Sequence, residues 1–149
     1  MLFLPHNRPL ESGLDSREVG RLEIACCVSR DNPVVKLNSV SASALGGVPV
    51  VLFQNSFFQT DEIKRWFSES GLAPNVLLQT DQLSTMMSII SGNAAVGFAF
   101  RDLIASNPNL VAIPLDRPLV ATVSLVWKRN SRMSGAMKRF RDFACGLEL

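Results

Sequence analysis

The stretch that decides the fold covers residues 46–100: GGVPVVLFQNSFFQTDEIKRWFSESGLAPNVLLQTDQLSTMMSIISGNAAVGFAF. Residues 48–53 form an unbroken apolar run behind Gly46-Gly47, the pattern of a strand buried on both faces. Residues 60–70 then place Ile63, Trp66 and Phe67 on one helical face, with Asp61, Glu62, Lys64, Arg65 and Glu69 elsewhere. Thr60 or Gln59 starts this helix, and Gly71 stands where a left-handed residue would end it. A second strand is expected at 75–79, after Pro74. In residues 82–91, Leu83, Met86, Met87 and Ile90 recur at i, i+3, i+4 and i+7, a helix that Gly92 and Asn93 end. Residues 94–99 are a third apolar strand.

Outward from this centre the alternation continues. Residues 101–105 read as a short helix, and Asn107-Pro108-Asn109 as a turn. Strands are expected at 110–115 and 120–128, separated by the Asp116-Arg117-Pro118 turn. A last helix, about 134–145, carries Met137, Phe140 and Ala144 on one face and Lys138, Arg139, Arg141 and Asp142 on the other. Strands and helices in alternation imply a mostly parallel sheet covered by helices. The first 47 residues are less regular: strands at 1–4 and 21–29 with a polar loop between them, a turn at Arg30-Asp31-Asn32-Pro33, and a short helix at 38–45. They read as the continuation of a βα series whose first units lie elsewhere.

Composition limits the function classes. The 149 residues fit one domain, and 47% hydrophobic against 19% charged residues allow a sizeable core. A net charge of +2 is too balanced for a nucleic-acid-coating domain or a polybasic membrane binder. The basic cluster Lys128-Arg129-Asn130-Ser131-Arg132, with Lys138, Arg139 and Arg141, reads as a solvated strand end and helix face. The longest charge-free stretch, 83–100, is interrupted by Ser84, Thr85, Ser88, Ser91, Gly92 and Asn93, so no membrane span is expected. The opening MLFLPHNRP has neither a basic leader nor a long apolar run, so it is not read as a secretory signal.

Chemistry-bearing constellations are scarce. Cys26, Cys27 and Cys145 are three cysteines without framework spacing, read as reduced thiols of a cytoplasmic protein. The single histidine, His6, has no metal-ligand spacing to any of them, so no metal or cofactor is expected. The sequence contains no GxSxG, GxxxxGK[ST] or GxGxxG motif. Asp61 and Glu62 sit in a helical first turn, where the helix dipole favours acids without any catalytic role. The reading is therefore a protein that is not an enzyme.

The order of segments carries a resemblance. SVSASALGGVPVVLF, the loop QNSFFQT and the helix DEIKRWFSESGLAPNV are followed by LLQTDQLSTMMSIISGNAAVGFAFRDLI, NPNLVAIPLDRP, VSLVWKRNSRMS and AMKRFRDFA. This resembles the effector-binding domain of LysR-type transcriptional regulators, over about residues 10–144. The helix leading into SGNAAVGFAF, LVAIPLD before a strand ending VWKR, and the loop ESGLAPN carry the likeness. Phe98-Ala99-Phe100 stands where the family usually ends that strand in proline.

The resemblance implies a fold like type 2 periplasmic binding proteins: two α/β subdomains, with a small-molecule effector in the cleft between them. It implies a partial first subdomain at 1–30 and 119–149 and a second at 31–118. It further implies a homodimer or higher homo-oligomer in which the helix at 60–70 takes part, Ile63 or Trp66 being shared between core and interface. DNA would be bound only through a segment absent from this chain. Effector binding would act allosterically by shifting a two-state equilibrium. A solute-binding protein of the same fold, delivering a small molecule to a transporter, is the alternative reading.

Ligands of such sheets bind at the carboxyl ends of parallel strands. Those positions are Gln54, Asn55, Ser56 and Thr60 after the first strand, polar groups suited to an anionic or polar metabolite. Phe98, Phe100 and Arg101 stand at the end of the third, as apolar wall and counter-charge. The same polar residues also serve as ordinary turn and cap residues.

Overall fold

The computed structural model describes residues 1–147. In chain order the elements are β1 (Leu2–His6), β2 (Leu14–Ser29), β3 (Pro49–Phe53), α1 (Phe58–Glu69), β4 (Asn75–Thr80), α2 (Leu83–Ser91), β5 (Val96–Phe100), α3 (Arg101–Ala105), β6 (Leu110–Ile113), β7 (Leu119–Lys128) and α4 (Gly135–Ala144). Two compact units arise: one of Met1–Leu22 with Val120–Leu149, the other of Glu23–Leu119. The last seven residues of β2, grouped with the first part by sequence, lie in the second unit, where they pair with β5 and β6.

The second unit is built on β3, β5 and the last part of β2, apolar strands buried on both faces, with the more exposed β4 at the edge. β3 pairs in parallel with β4 and with β5, while β2 pairs antiparallel with both β5 and β6. The sheet is thus mixed, not mostly parallel, because β2 meets β5 from the opposite direction. Side-chain alternation divides the strands between two cores. Val50, Leu52, Phe98, Ile24, Cys26 and Val28 face Ile63, Trp66 and Phe67 of α1. Val51, Ala99, Ala25 and Cys27 face Met86 and Ile90 of α2 and Ile104 of α3.

Backbone geometry explains where the helices end. Gly71 has φ +70°, its N–H donates to Ser68 O, and the Leu72 N–H donates to Phe67 O. This left-handed cap closes α1 as its position in the sequence predicts. Asn93, at φ 56°, closes α2 in the same way, its N–H on Ile90 O and the Ala94 N–H on Ile89 O. At Gly97 a Cβ would lie 2.5 Å from Ile90 Cδ1 and 3.3 Å from Val51 Cγ1. Glycine here lets α2 sit close to β5 without pushing on the tip of Ile90.

Upstream the structure departs from the sequence reading. The turn expected at 30–33 runs into a 3₁₀ turn, Pro33–Lys36, capped by the Asn32 side chain. The helix expected at 38–45 shrinks to Ser43–Leu45. Val40 is drawn instead into a parallel bridge with Leu115; its N–H donates to Pro114 O and its carbonyl accepts from Asp116 N.

In the first unit the strand order is β1-β7-β2, β1 and β7 being antiparallel. Its small core joins Val19, Val123, Leu125 and Ala144 with Leu22, Trp127 and Cys145. α4 is capped by Ser134 Oγ, which accepts from Met137 N. Of the apolar face expected on α4 only Ala144 is buried, whereas Met137, Phe140 and Phe143 are exposed. Phe140 meets Phe3 edge-on at 6.4 Å. His6 bridges Arg8 O and Ser124 Oγ, both at 2.9 Å, which gives the lone histidine a structural role. Among the described residues no helix is long and apolar enough to cross a membrane.

Candidate functional site

The carboxyl end of β3 delivers the chain into the loop at 54–57. Gln54 N–H donates to Thr80 O, Phe57 N–H to Gln54 O and Thr60 N–H to Phe57 O, each at 3.0 Å. The loop is thereby fixed to the end of β4 and to the start of α1. α1 begins two residues earlier than its polar sequence predicts, at Phe58, and no side chain caps it. Its first-turn amides therefore present partial positive charge at this edge.

Gln54, Asn55 and Ser56 are exposed here. Asn55 Oδ1 accepts from Lys64 Nζ at 2.8 Å and from Gln79 Nε2 at 3.0 Å. That double hold orients the Asn55 amide, whose Nδ2 has no protein partner among the described residues. Lys64 and Gln79 were not singled out in the sequence. Gln79 stands near the end of β4 and reaches the loop through the parallel pairing of β3 with β4, whereas Lys64 reaches it from the polar side of α1, which follows the loop directly. Phe57 stacks on Phe53 at 5.0 Å and forms an apolar shoulder to the loop.

The other expected residues are placed differently. Thr60 is 1% exposed, and its hydroxyl donates to Phe53 O at 2.8 Å. It locks the loop instead of offering a free group. Phe98 and Phe100 do share a face, yet that face carries the core. Phe98 is 2% exposed and meets Trp66 and Phe67 edge-on, so its ring lies away from the surface. Phe100 is half-buried and stacks on Phe58 at 6.5 Å. Arg101 is partly engaged, Nη1 bonding Glu23 Oε2 at 3.1 Å with half of its side chain in solvent. Ile63 and Trp66 are buried within the unit, Trp66 Nε1 donating to Asp116 Oδ1 at 2.9 Å, so neither has surface left to share with a partner.

Chemically this edge donates hydrogen bonds. It gathers three carboxamides, a hydroxyl, an ammonium and helix N–H groups, without an acid–base pair and, among the described residues, without a cluster able to hold a metal. Donors of this kind suit a carboxylate or phosphoryl group. The model of the LysR substrate binding domain matches residues 2–145. The chain belongs to this family. Its sheet and helices follow the LysR substrate-binding fold, a periplasmic-binding-protein-like arrangement. The effector-binding domain of QuiR in complex with shikimate superposes with a TM-score of 0.81 at 18% identity, over 94% of this chain and 68% of that one. The regulatory domain of CcmR from Synechocystis PCC6803, in complex with 2-PG, gives 0.87 at 13% identity over 98% and 72%. Full-length CbnR, complexed with its target DNA, gives 0.75 at 15% identity, over 97% of this LysR domain but only 52% of that chain.

Proposed function

We propose that this LysR domain senses a small anionic or polar metabolite through the loop at 54–57 and so modulates DNA binding and transcription by a full-length regulator in the cytoplasm. The observation that carries the reading is the Asn55 amide, held by Lys64 and Gln79 at the carboxyl end of parallel β3, inside a LysR substrate-binding domain. Gln54, Asn55 and Ser56 donate to the ligand, Phe100 borders it and Arg101 supplies counter-charge. The task is binding and not turnover, which suits a site of donors without an acid–base pair. Solved relatives hold shikimate and 2-PG, so small oxyanions are the first ligands to try.

Calorimetric titration of the chain with shikimate and 2-PG tests the reading. Binding of either that weakens about tenfold or more in Ser56→Glu, where an added carboxylate meets the anion, is the expected result; each tenfold step is about 1.4 kcal/mol. Binding that Ser56→Glu and Asn55→Ala both leave untouched would remove the loop from the site.

A second copy of the chain is part of the same reading. β4 is the edge strand of its sheet, and Val76, Leu77 and Leu78 on it are exposed. An apolar open edge of this kind favours association with another chain.

A further inference from the structure

Strand register places Glu23 at the edge that holds the loop at 54–57. β3 and β5 run parallel, with Val50 beside Val96 and Val51 beside Gly97. Continued along both strands, this register sets Gln54 level with Phe100 and Asn55 level with Arg101. On its other side β5 pairs with β2, Ile24 standing beside Phe100. Glu23 is the next position along, opposite Arg101, and its Oε2 accepts from Arg101 Nη1 at 3.1 Å. Arg101 thus stands between the loop and Glu23, with 49% of its side chain in solvent against 29% for Glu23. The stacking of Phe58 on Phe100 ties the start of α1 to the same place.

Glu23 changes what this edge accepts. Among the described residues it is the one carboxylate bonded to a residue of the proposed site. Arg101 carries its N–H donors in a planar fork, and one arm is committed to Glu23. An anion that takes the remaining donors comes close to the Glu23 charge. The wider surroundings do not offset that charge. The cations at this edge are Lys64 and Arg101, whereas Glu23, Asp61 in the first turn of α1, Asp81 just after β4 and Asp102 in the first turn of α3 are acids. Arg101 and the loop donors can satisfy a single carboxylate. Each further negative charge on a ligand meets an acid instead.

We infer, on the reading that the loop at 54–57 is the effector site, that Glu23 sets the ligand class: a singly charged carboxylate that carries hydroxyl groups. The carboxylate accepts from Ser56 Oγ, from Asn55 Nδ2 and from the remaining N–H groups of Arg101. A ligand hydroxyl donates to Glu23, which keeps its bond to Arg101. A phosphoryl group in the place of that hydroxyl brings acceptor oxygens and negative charge against the Glu23 carboxylate, and is turned away.

Calorimetric titration with shikimate and with shikimate 3-phosphate compares the two classes on one carbon frame. The parent chain is expected to bind shikimate at least about tenfold more tightly than its phosphate. Glu23→Gln removes the charge and keeps the shape, and should narrow that gap at least about fivefold, while Glu23→Asp keeps it. The ratio of the two affinities is the readout, because a damaged fold weakens both compounds alike. The assignment is overturned if the parent binds the phosphate as tightly as shikimate, if it binds neither compound, or if Glu23→Gln leaves the ratio where it was. Where Glu23→Gln fails to fold, the comparison in the parent chain still decides. Ser56→Glu separates the loop from Glu23. Affinity lost in Ser56→Glu, with the ratio unchanged in Glu23→Gln, overturns the role of Glu23 and leaves the loop as the site. A ratio moved by Glu23→Gln, with binding that Ser56→Glu and Asn55→Ala leave untouched, supports Glu23 and removes the loop.

Discussion

Cys26 and Cys27 are neighbours on β2, yet one faces α1 and the other α2. Adjacent strand residues point to opposite faces, so sequence order alone predicts that they do not bridge, and all three cysteines are free. Burial strips water from both thiols and disfavours the thiolate. Cys26 is raised well above its ordinary range, and Cys27 is pushed up from 9.0 to about 12. The folded state therefore holds these protons more tightly than the unfolded chain does. Their contribution to stability is complete below pH 9.0 and is lost as the pH climbs towards about 12. The unfolding free energy from urea titrations should fall between pH 8 and pH 10, by up to about 1.4 kcal/mol per thiol for each unit above the unfolded value. Ellman's reagent at pH 8 should titrate Cys145 in the native chain and all three cysteines in urea. Rapid native reaction of Cys26 or Cys27 would mean that β2 opens readily. The site residues were only partly legible at this scale. Asn55 and Ser56 are exposed as their loop position implies, but Thr60 was read as an available hydroxyl and is spent on Phe53 O.

Between elements, the decisive contact is α2 against β5. Glycine at 97 looks like a weakness in an apolar strand until the helix above it is placed, with Ile90 Cδ1 where a Cβ would go. Gly97→Ala is expected to cost about 1–3 kcal/mol through overpacking, measured by chemical denaturation. Ile90→Val, which removes the clashing methyl, should recover part of that loss in the double variant. Independent, additive effects would show that the two positions do not press on each other. The periodicity of residues 48–100 gave these elements within about two residues, because both cores impose their spacing on the chain. The first 45 residues carried no such period. β2 begins at Leu14, seven residues before its apolar signal, since Ser16, Arg17, Glu18 and Arg21 lie on exposed parts of the strand.

For the whole molecule, the exposed edge of β4 is the feature with the largest consequence. Leu77 is 56% exposed, more than either neighbour on the strand. Leu77→Lys should shift sedimentation towards the monomer without changing the thermal midpoint at low concentration, because the side chain supports no contact within its own core. An unchanged association state would move the interface elsewhere. The apolar side chains on α4 show why surface alone does not name a partner. Met137 and Phe140 share with Ala144 a helical face that predicts burial, yet only Ala144 is buried and Met137 and Phe140 are left exposed.

The sequence by itself determined the α/β class, the order of elements from β3 onward, the caps at Gly71 and Asn93, and the family, because these rest on local periodicity and backbone conformation. It also located the loop at 54–57, since a strand buried on both faces must end in a polar turn. Tertiary structure alone decided the mixed sheet, the division of Cys26 and Cys27 between two cores, the hold of Lys64 and Gln79 on Asn55, and the pairing of Glu23 with Arg101. Most of these bring together residues far apart in the chain, and which helix covers Cys26 and which covers Cys27 is likewise set by distant segments. Their proximity is fixed by strand pairing and side-chain packing, for which no local stretch of sequence carries a signal.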